Sequence, residues 1–126
     1  MSIRVGINGF GRIGRLFLRA ALNRPGMEVV AVNHKSRRLS GTAGDFARHL
    51  AYSLQYDSVH GPLPVDVSST DGALRIGGRE VLIYSEADPA AIPWGEMKVN
   101  IVVEATGKFR DGKEVARHLS SGAKKV

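Results

Sequence analysis

The chain opens with the apolar run IRVGIN, which leads directly into the glycine pattern GxGxxG at residues 9–14. The β-branched character of residues 3–8 predicts a buried strand, and residues 12–23 have the spacing of a helix that Pro25-Gly26 ends. The apolar face predicted for this helix consists of Ile13, Leu16, Phe17, Ala20 and Ala21, opposite Arg12, Arg15 and Arg19. Residues 27–33 are again short and apolar, so the first third of the chain predicts a parallel βαβ unit.

The position of this glycine pattern, between a strand and a helix, is typical of a dinucleotide-binding turn. We expect Gly9 to permit the tight turn, Gly11 to let the backbone approach a pyrophosphate, and Gly14 to let the helix pack closely on its strand. The backbone amides at the helix N-terminus would then face the phosphates. A glycine turn that only tightens the connection is the alternative. The flanking elements favour binding, with Gly9, Phe10, Gly11, Arg12, Ile13 and Gly14 as the predicted site residues.

The middle of the chain changes character after a predicted loop at residues 34–44. Asp45 is the predicted N-cap of a helix that closes near Tyr56. Short strands are then predicted at residues 65–68, 74–76 and 81–84. Asp71-Gly72 and Gly77-Gly78 separate them as hairpin turns, which indicates an antiparallel excursion.

The last part of the chain returns to the pattern of the first. Residues 99–105 predict a buried strand, and Asp111 is a predicted cap for a helix with Val115, Ala116 and Leu119 on its apolar face. Gly122 occupies the position typical after a helix C-terminus, and residues 123–126 begin another strand.

Together these elements predict an α/β fold of Rossmann type, a doubly wound, mostly parallel sheet with a small antiparallel excursion. A chain of 126 residues suffices for one core, so residues 1–126 are interpreted as one dinucleotide-binding domain. Because the last predicted strand is unfinished, we expect the chain to be a fragment of a longer polypeptide.

Composition excludes several kinds of site and partner. The chain has no cysteine, which excludes disulfides, zinc thiolates and thiol nucleophiles within these residues, and we expect no metal site. There is no apolar stretch of membrane-spanning length and no signal-peptide pattern, so a cytoplasmic protein without a membrane partner is expected. The net charge is +6, but acidic residues are interspersed with the basic ones, and nucleic-acid binding is not expected.

The end of the second strand bears on the choice between NAD and NADP. An NAD-selective site usually places a carboxylate here for the ribose hydroxyls, whereas this chain has Asn33, His34 and Lys35, followed by Arg37 and Arg38. These cations favour a 2′-phosphate and hence NADP. The alternative is a solvated loop beside a site that takes NAD without an acidic partner. His34 is either a hydrogen-bond partner of the ribose or an exposed loop residue.

Six ordered motifs resemble one family, the phosphorylating glyceraldehyde-3-phosphate dehydrogenases. They are RVGINGFGRIGR at residues 4–15, VVAVN at 29–33, YDSVHG at 56–61, DPAAIPW at 88–94, VVEATGKF at 102–109 and SGAKKV at 121–126. The resemblance covers nearly the whole chain. An erythrose-4-phosphate dehydrogenase would be similar, and a non-catalytic nucleotide-binding module, or a basic domain that binds RNA in a vacant groove, are alternatives of other classes.

The resemblance implies a cofactor domain that precedes a catalytic domain in a homotetramer of glycolysis. The whole protein would oxidise an aldehyde phosphate with inorganic phosphate, using a cysteine and a histidine that lie downstream, so this chain would carry no catalytic residue. Asn33 and His34 would flank the adenosine ribose, and Thr106, Gly107 and Phe109 would line the adenine side. The chain departs from the family in having His34 in place of an aspartate.

Four later residues receive structural interpretations. Tyr56 and Asp57 are expected to cap and pack the end of a helix. Glu104 lies inside an apolar strand, and we expect it to be a buried hydrogen-bonding group instead of a catalytic acid. Trp94 is expected to be a packing residue.

Overall fold

A computed structural model describes most of the chain, with residues 3–35, 43–57, 61–62, 65–70, 72–86, 88–106, 116–120 and 122–126 placed. The chain forms two compact units. One consists of Met1–Lys35 together with Tyr84–Val126, and the other of Ser36–Ile83.

The predicted helices and strands occur in the predicted order, but two short strands, Tyr56–Asp57 and Gly61–Pro62, were not predicted. Tyr56 and Asp57, expected to cap and pack the end of a helix, form the first of them and pair antiparallel with residues 61–62. In chain order the helices and strands are β1 (Ile3–Asn8), α1 (Arg12–Ala21), β2 (Met27–Asn33), α2 (Ala43–Gln55), β3 (Tyr56–Asp57), β4 (Gly61–Pro62), β5 (Val67–Ser69), β6 (Ala73–Ile76), β7 (Arg79–Tyr84), a 3₁₀ turn at Pro89–Ala91, β8 (Ile101–Glu104) and α3 (Arg117–Ser120).

Three parallel strands form the centre of the first unit, with β1 between β2 and β8. The register pairs Asn8 of β1 with Asn33 of β2 on one side and with Glu104 of β8 on the other. The carboxyl ends of the three strands therefore bring three polar side chains to one edge. Lys125 adds a parallel bridge to Ile101, in agreement with the predicted start of a strand there.

Close backbone approach accounts for a glycine that the sequence patterns did not single out. A Cβ on Gly6 would collide with the six-membered ring of Trp94, which is fully buried. Trp94 is thus a packing residue, as predicted, and glycine in β1 leaves room for its ring.

The orientation of α1 corrects the predicted apolar face. The buried residues are Gly14, Leu18 and Ala21, whereas Ile13 is 62% exposed and Ala20 is also exposed. The buried side is rotated from the predicted one because Gly14, not a large apolar side chain, makes the closest approach to the turn that precedes the helix.

The second unit contains α2 and the antiparallel excursion. Strands β5, β6 and β7 pair antiparallel in sequence order, and the Gly77-Gly78 turn has φ values of +58° and +86°. Several boundaries differ from those predicted, and β6 and β7 begin at residues 73 and 79 instead of 74 and 81. Val65 lies outside β5, and Asp45 lies within the first turn of α2 instead of at its cap. A carboxylate is favoured both at the N-cap and in the first turn of a helix, so the sequence could not decide between these two positions for Asp45.

The C-terminal helix is confirmed only in part, because its predicted start at residues 111–115 lies outside the described residues. Gly122 has φ of +111° and donates its N–H to the carbonyl of Leu119, as expected after a helix end. The predicted apolar face was wrong at Leu119, which is 46% exposed, while the neighbouring His118 is fully buried. The imidazole of His118 can be buried because it has hydrogen-bond partners inside the protein, and Leu119 is turned outward as a result.

The predicted Rossmann-type α/β fold, with parallel strands and an antiparallel excursion, is confirmed. Among the described helices, none has the length and apolar character that crossing a membrane requires.

Candidate functional site

The turn between β1 and α1 requires glycine at its first position. Gly9 has φ of +98°, and its N–H donates to the carbonyl of Asn33 at 2.7 Å. A Cβ on Gly9 would lie 2.8 Å from both the carbonyl carbon of Ala105 and the nitrogen of Thr106. Any other residue would therefore strain the turn and push it away from the chain that follows β8.

The third glycine of the pattern is also required by the protein itself. A Cβ on Gly14 would collide with the carbonyl oxygen of Gly9. The first turn of α1 thus lies directly on the glycine turn, which fixes where the N-terminus of the helix points.

The second glycine differs from the other two. Gly11 is the N-cap of α1 in extended conformation, and no described atom lies within 4 Å of the position its Cβ would take. Within the described part of the chain the space beside Gly11 is open, so the packing of those residues does not demand glycine there. An open space at a glycine is what a ligand that approaches the backbone needs.

The N-terminus of α1 offers hydrogen-bond donors to such a ligand. No side chain of the described residues caps it, and its first turn contains no acidic residue. The first backbone N–H groups of a helix have no partner within the helix, and the helix dipole adds about half a positive charge. The amides of Arg12 and Ile13 lie here, and both residues are exposed. This geometry fits an anionic group such as a pyrophosphate.

Phe10 holds the turn in place through its backbone and its ring. The ring is fully buried, and the carbonyl accepts a hydrogen bond from Nη1 of Arg15 at 3.3 Å. Its N–H donates to Nδ1 of His34 at 3.1 Å. The predicted site residue at the end of β2 is therefore joined directly to the glycine turn.

The end of β2 carries the three residues predicted to select the cofactor. His34 is half-buried, and its backbone N–H donates to the carbonyl of Tyr84 at 2.9 Å, while Lys35 is exposed. Because Nδ1 of His34 accepts from Phe10, the hydrogen of the neutral imidazole is on Nε2. Arg37 and Arg38 lie outside the described residues.

Asn33 is 3% exposed, and its side chain is fully engaged within the protein. Its Nδ2 donates to Oδ1 of Asn8 at 2.7 Å and to the carbonyl of Glu86 at 2.9 Å, and its Oδ1 accepts from the N–H of Glu86 at 2.8 Å. The amide of Asn33 thus ties the strand ends together beneath the turn.

Glu104 accepts four hydrogen bonds at the end of β8. Its Oε1 accepts a hydrogen bond from Nδ2 of Asn8 at 2.7 Å and lies 2.7 Å from Nε2 of His118. Its Oε2 accepts from the backbone N–H of Thr106 at 3.0 Å and from the hydroxyl of the same residue at 2.7 Å. Burial, the largest influence, raises the pKa of Glu104, but the hydrogen bonds from His118, Thr106 and Asn8 together outweigh it, so the net pKa is lowered. A carboxylate with every acceptor position filled is a structural group, as expected, and no position remains for it to act as a base.

Thr106 is the predicted adenine-side residue that the structure brings to the turn. It is half-buried and packs where Gly9 lacks a Cβ, and Glu104 holds it through two hydrogen bonds. Its predicted companions Gly107 and Phe109 lie outside the described residues.

Sequence patterns missed two polar residues behind the turn, Asn8 and His118. Both are buried, at 2% and 0% exposure, and both contact Glu104. A polar residue that ends an apolar strand was a usable signal for Asn8, because buried polar groups need partners. His118 gave no such signal, since its partners lie far away in sequence. The described residues contain no cluster of acidic and histidine side chains suited to a metal ion.

Comparison with known proteins agrees with this geometry. The family model described as "Glyceraldehyde 3-phosphate dehydrogenase, NAD binding domain" matches residues 3–112. The chain is 48% identical over 126 residues to glyceraldehyde-3-phosphate dehydrogenase of Geobacillus stearothermophilus, and 49% identical over 126 residues to glyceraldehyde-3-phosphate dehydrogenase 1 of Bacillus subtilis (strain 168). Glyceraldehyde-3-phosphate dehydrogenase 2 of Mucor circinelloides f. lusitanicus is 45% identical over the same length. All of this chain is matched, and it spans 35% of the length of each of these relatives.

Proposed function

Since this chain belongs to the glyceraldehyde-3-phosphate dehydrogenase family and is an NAD-binding domain of it, we propose that it holds the cofactor of a dehydrogenase acting on an aldehyde phosphate. Residues 1–126 form the dinucleotide-binding domain of that larger protein. The whole protein is a cytoplasmic homotetramer that uses inorganic phosphate as its second substrate.

One observation carries the assignment of the site. Among the placed residues, no side chain caps the N-terminus of α1, and the N-cap Gly11 lies beside an open space, whereas the two other glycines of the turn are required by internal contacts. An anionic group placed there would accept hydrogen bonds from the amides of Arg12 and Ile13. The proposed cofactor-binding residues are Gly9, Phe10, Gly11, Arg12, Ile13, Gly14, Asn33, His34, Lys35, Thr106, Gly107 and Phe109.

These residues differ in what they contribute. Gly9 and Gly14 shape the turn, and Phe10 holds it in place through its buried ring and its backbone hydrogen bonds with His34 and Arg15. Asn33 acts through the position of the strand end, since its amide is occupied by Asn8 and Glu86. When NAD is bound, its nicotinamide ring accepts the hydride that the substrate gives up.

This chain alone binds cofactor and catalyses nothing, in our proposal. The family reaction needs a thiolate nucleophile, and the chain contains no cysteine. The missing nucleophile and its histidine come from the rest of the whole protein.

Both NAD and NADP fit the end of β2. His34 presents an imidazole whose hydrogen is on Nε2, and Lys35 is an exposed cation, so no carboxylate of these residues repels a 2′-phosphate. We therefore propose that the site accepts NADP as well as NAD.

A matched pair of glycine substitutions tests the assigned site. Gly11→Ala adds a methyl group where no described atom lies within 4 Å, so the fold should be unchanged, but a pyrophosphate at the helix N-terminus would meet that methyl group. We expect isothermal titration calorimetry to show NAD affinity reduced by roughly tenfold or more.

Gly72→Ala is the control, because Gly72 also has open space around its missing Cβ and lies in the other unit. It should bind NAD like the unchanged chain. Equal NAD affinity in both variants would contradict the proposed site, and failure of the unchanged chain to bind NAD or NADP would contradict the proposed function.

A further inference from the structure

A continuous chain of buried and part-buried polar groups runs behind the glycine turn. It begins at the backbone of Glu86 and crosses the carboxyl ends of β2, β1 and β8 to reach α3, with Asn33, Asn8, Glu104, His118 and Trp94 as its side-chain members. Groups of unambiguous hydrogen-bonding character stand at both ends, so the donor and acceptor at each step can be assigned.

The first end fixes the two asparagine amides. The backbone N–H of Glu86 can only donate, so the atom of Asn33 that receives it at 2.8 Å is Oδ1. Nδ2 of Asn33 therefore donates to Oδ1 of Asn8 at 2.7 Å. This leaves Nδ2 of Asn8 to donate to Oε1 of Glu104 at 2.7 Å.

The second end fixes the state of His118. The indole N–H of Trp94 has no acceptor capacity, and it lies 2.9 Å from Nδ1 of His118. Nδ1 must therefore offer a lone pair, and the imidazole is neutral with its hydrogen on Nε2. That hydrogen is donated to Oε1 of Glu104 at 2.7 Å. The 3.4 Å approach of Nε2 to Nδ2 of Asn8 follows, because two donors converge on one oxygen.

The second carboxylate oxygen of Glu104, Oε2, connects these hydrogen bonds to the glycine turn. Oε2 holds both the N–H and the hydroxyl of Thr106, and Thr106 packs against the position where Gly9 lacks a Cβ. The carboxylate thus joins His118 to the chain segment that supports the first glycine of the turn.

We propose that His118, kept in one tautomer by Trp94, is a positioning residue for the dinucleotide site. It acts through Glu104 and Thr106 on the glycine turn. This inference rests on the proposed function, since the property it controls is cofactor affinity.

Two variants at His118 separate its hydrogen bond from its bulk. His118→Leu removes the donor to Glu104, and we expect the NAD dissociation constant of the folded chain to rise by roughly tenfold. His118→Gln places an amide nitrogen near the position of Nε2 and should restore most of that affinity. Leu74→Ala is the control, because it creates a cavity at a buried site in the other unit and should lower stability without changing the dissociation constant.

A spectroscopic measurement tests the same inference without relying on a folded variant at His118. Nitrogen-15 NMR of the imidazole in the unchanged chain should show a single neutral form with hydrogen on Nε2, and Trp94→Phe, which removes the donor to Nδ1, should admit a hydrogen on Nδ1 as well. A charged ring or hydrogen on Nδ1 in the unchanged chain would overturn the inference.

The outcomes distinguish this inference from the proposed function. If the unchanged chain binds NAD and His118→Leu binds it equally well, the positioning role is wrong and the proposed function stands. If the unchanged chain binds neither NAD nor NADP, the proposed function is wrong and the positioning role falls with it, whatever the tautomer.

Discussion

At the scale of single residues, His34 shows how one hydrogen bond sets the chemistry of a proposed recognition site. Its Nδ1 is occupied by the N–H of Phe10, so the ring hydrogen is on Nε2. An aspartate at the same position would instead bring a negative charge, which attracts ribose hydroxyls and repels a 2′-phosphate. The identity of this residue should therefore decide between NAD and NADP.

We expect His34→Asp to shift the ratio of NAD to NADP affinity toward NAD by roughly tenfold or more, because the new carboxylate lies where a 2′-phosphate would approach. Parallel titrations of both cofactors measure the ratio. His49→Asp makes the same change at an exposed position of α2 and should leave the ratio unaltered. A ratio that is the same in both variants would place the adenosine ribose away from His34.

At the scale of secondary structure, α1 shows that a helix with apolar residues on several sides is oriented by its tightest contact. Gly14 must lie against the carbonyl of Gly9, and Leu18 and Ala21 follow it into the core at spacings of four and seven. Ile13 is consequently turned outward despite being apolar. Close approach of the backbone, and not total apolar area, decides the rotation of this helix.

This orientation predicts opposite results for two truncations on the same helix. Leu18→Ala should lower the free energy of unfolding by about 3 kcal/mol, because it leaves a cavity at a fully buried position. Ile13→Ala should change it by about 0.5 kcal/mol or less, since the side chain is exposed. Urea denaturation followed by circular dichroism measures both values. A larger loss for Ile13→Ala than for Leu18→Ala would mean that the helix has the rotation the sequence suggested.

At the scale of the whole molecule, the unit that contains the site is assembled from both ends of the chain, Met1–Lys35 and Tyr84–Val126. Glu104 is central to that assembly, because its carboxylate bonds to Asn8 of β1 and His118 of α3. Its pKa is lowered below the usual value of 4.5 in the folded chain. The ionised form is therefore favoured by folding, and the stability it contributes is present above pH 4.5 and lost as the pH falls through the lowered pKa.

We expect Glu104→Gln to reduce stability at pH 7, because the amide nitrogen of glutamine would face hydrogen-bond donors. Since glutamine does not ionise, the variant should also lose less stability than the unchanged chain as the pH falls into the acid range. Unfolding free energies between about pH 7 and pH 3 provide the comparison. Glu28→Gln is the control, since Glu28 forms only an exposed pair with Arg4 at 3.7 Å. If the unfolding free energies of Glu104→Gln and of the unchanged chain fell equally through the acid range, protonation of Glu104 would not be the cause of the acid destabilisation.

The sequence alone determined the strand, turn and helix at the start of the chain and the need for glycine at positions 9 and 14. These features depend on local periodicity and on backbone sterics within a few residues, which the order of amino acids expresses directly. Only the tertiary structure decided which side of α1 is buried and that Asn8 and His118 share the carboxylate of Glu104. The reason is physical, since Asn8 and His118 are separated by 110 positions, and the roles of donor and acceptor are set only when the strands bring them together.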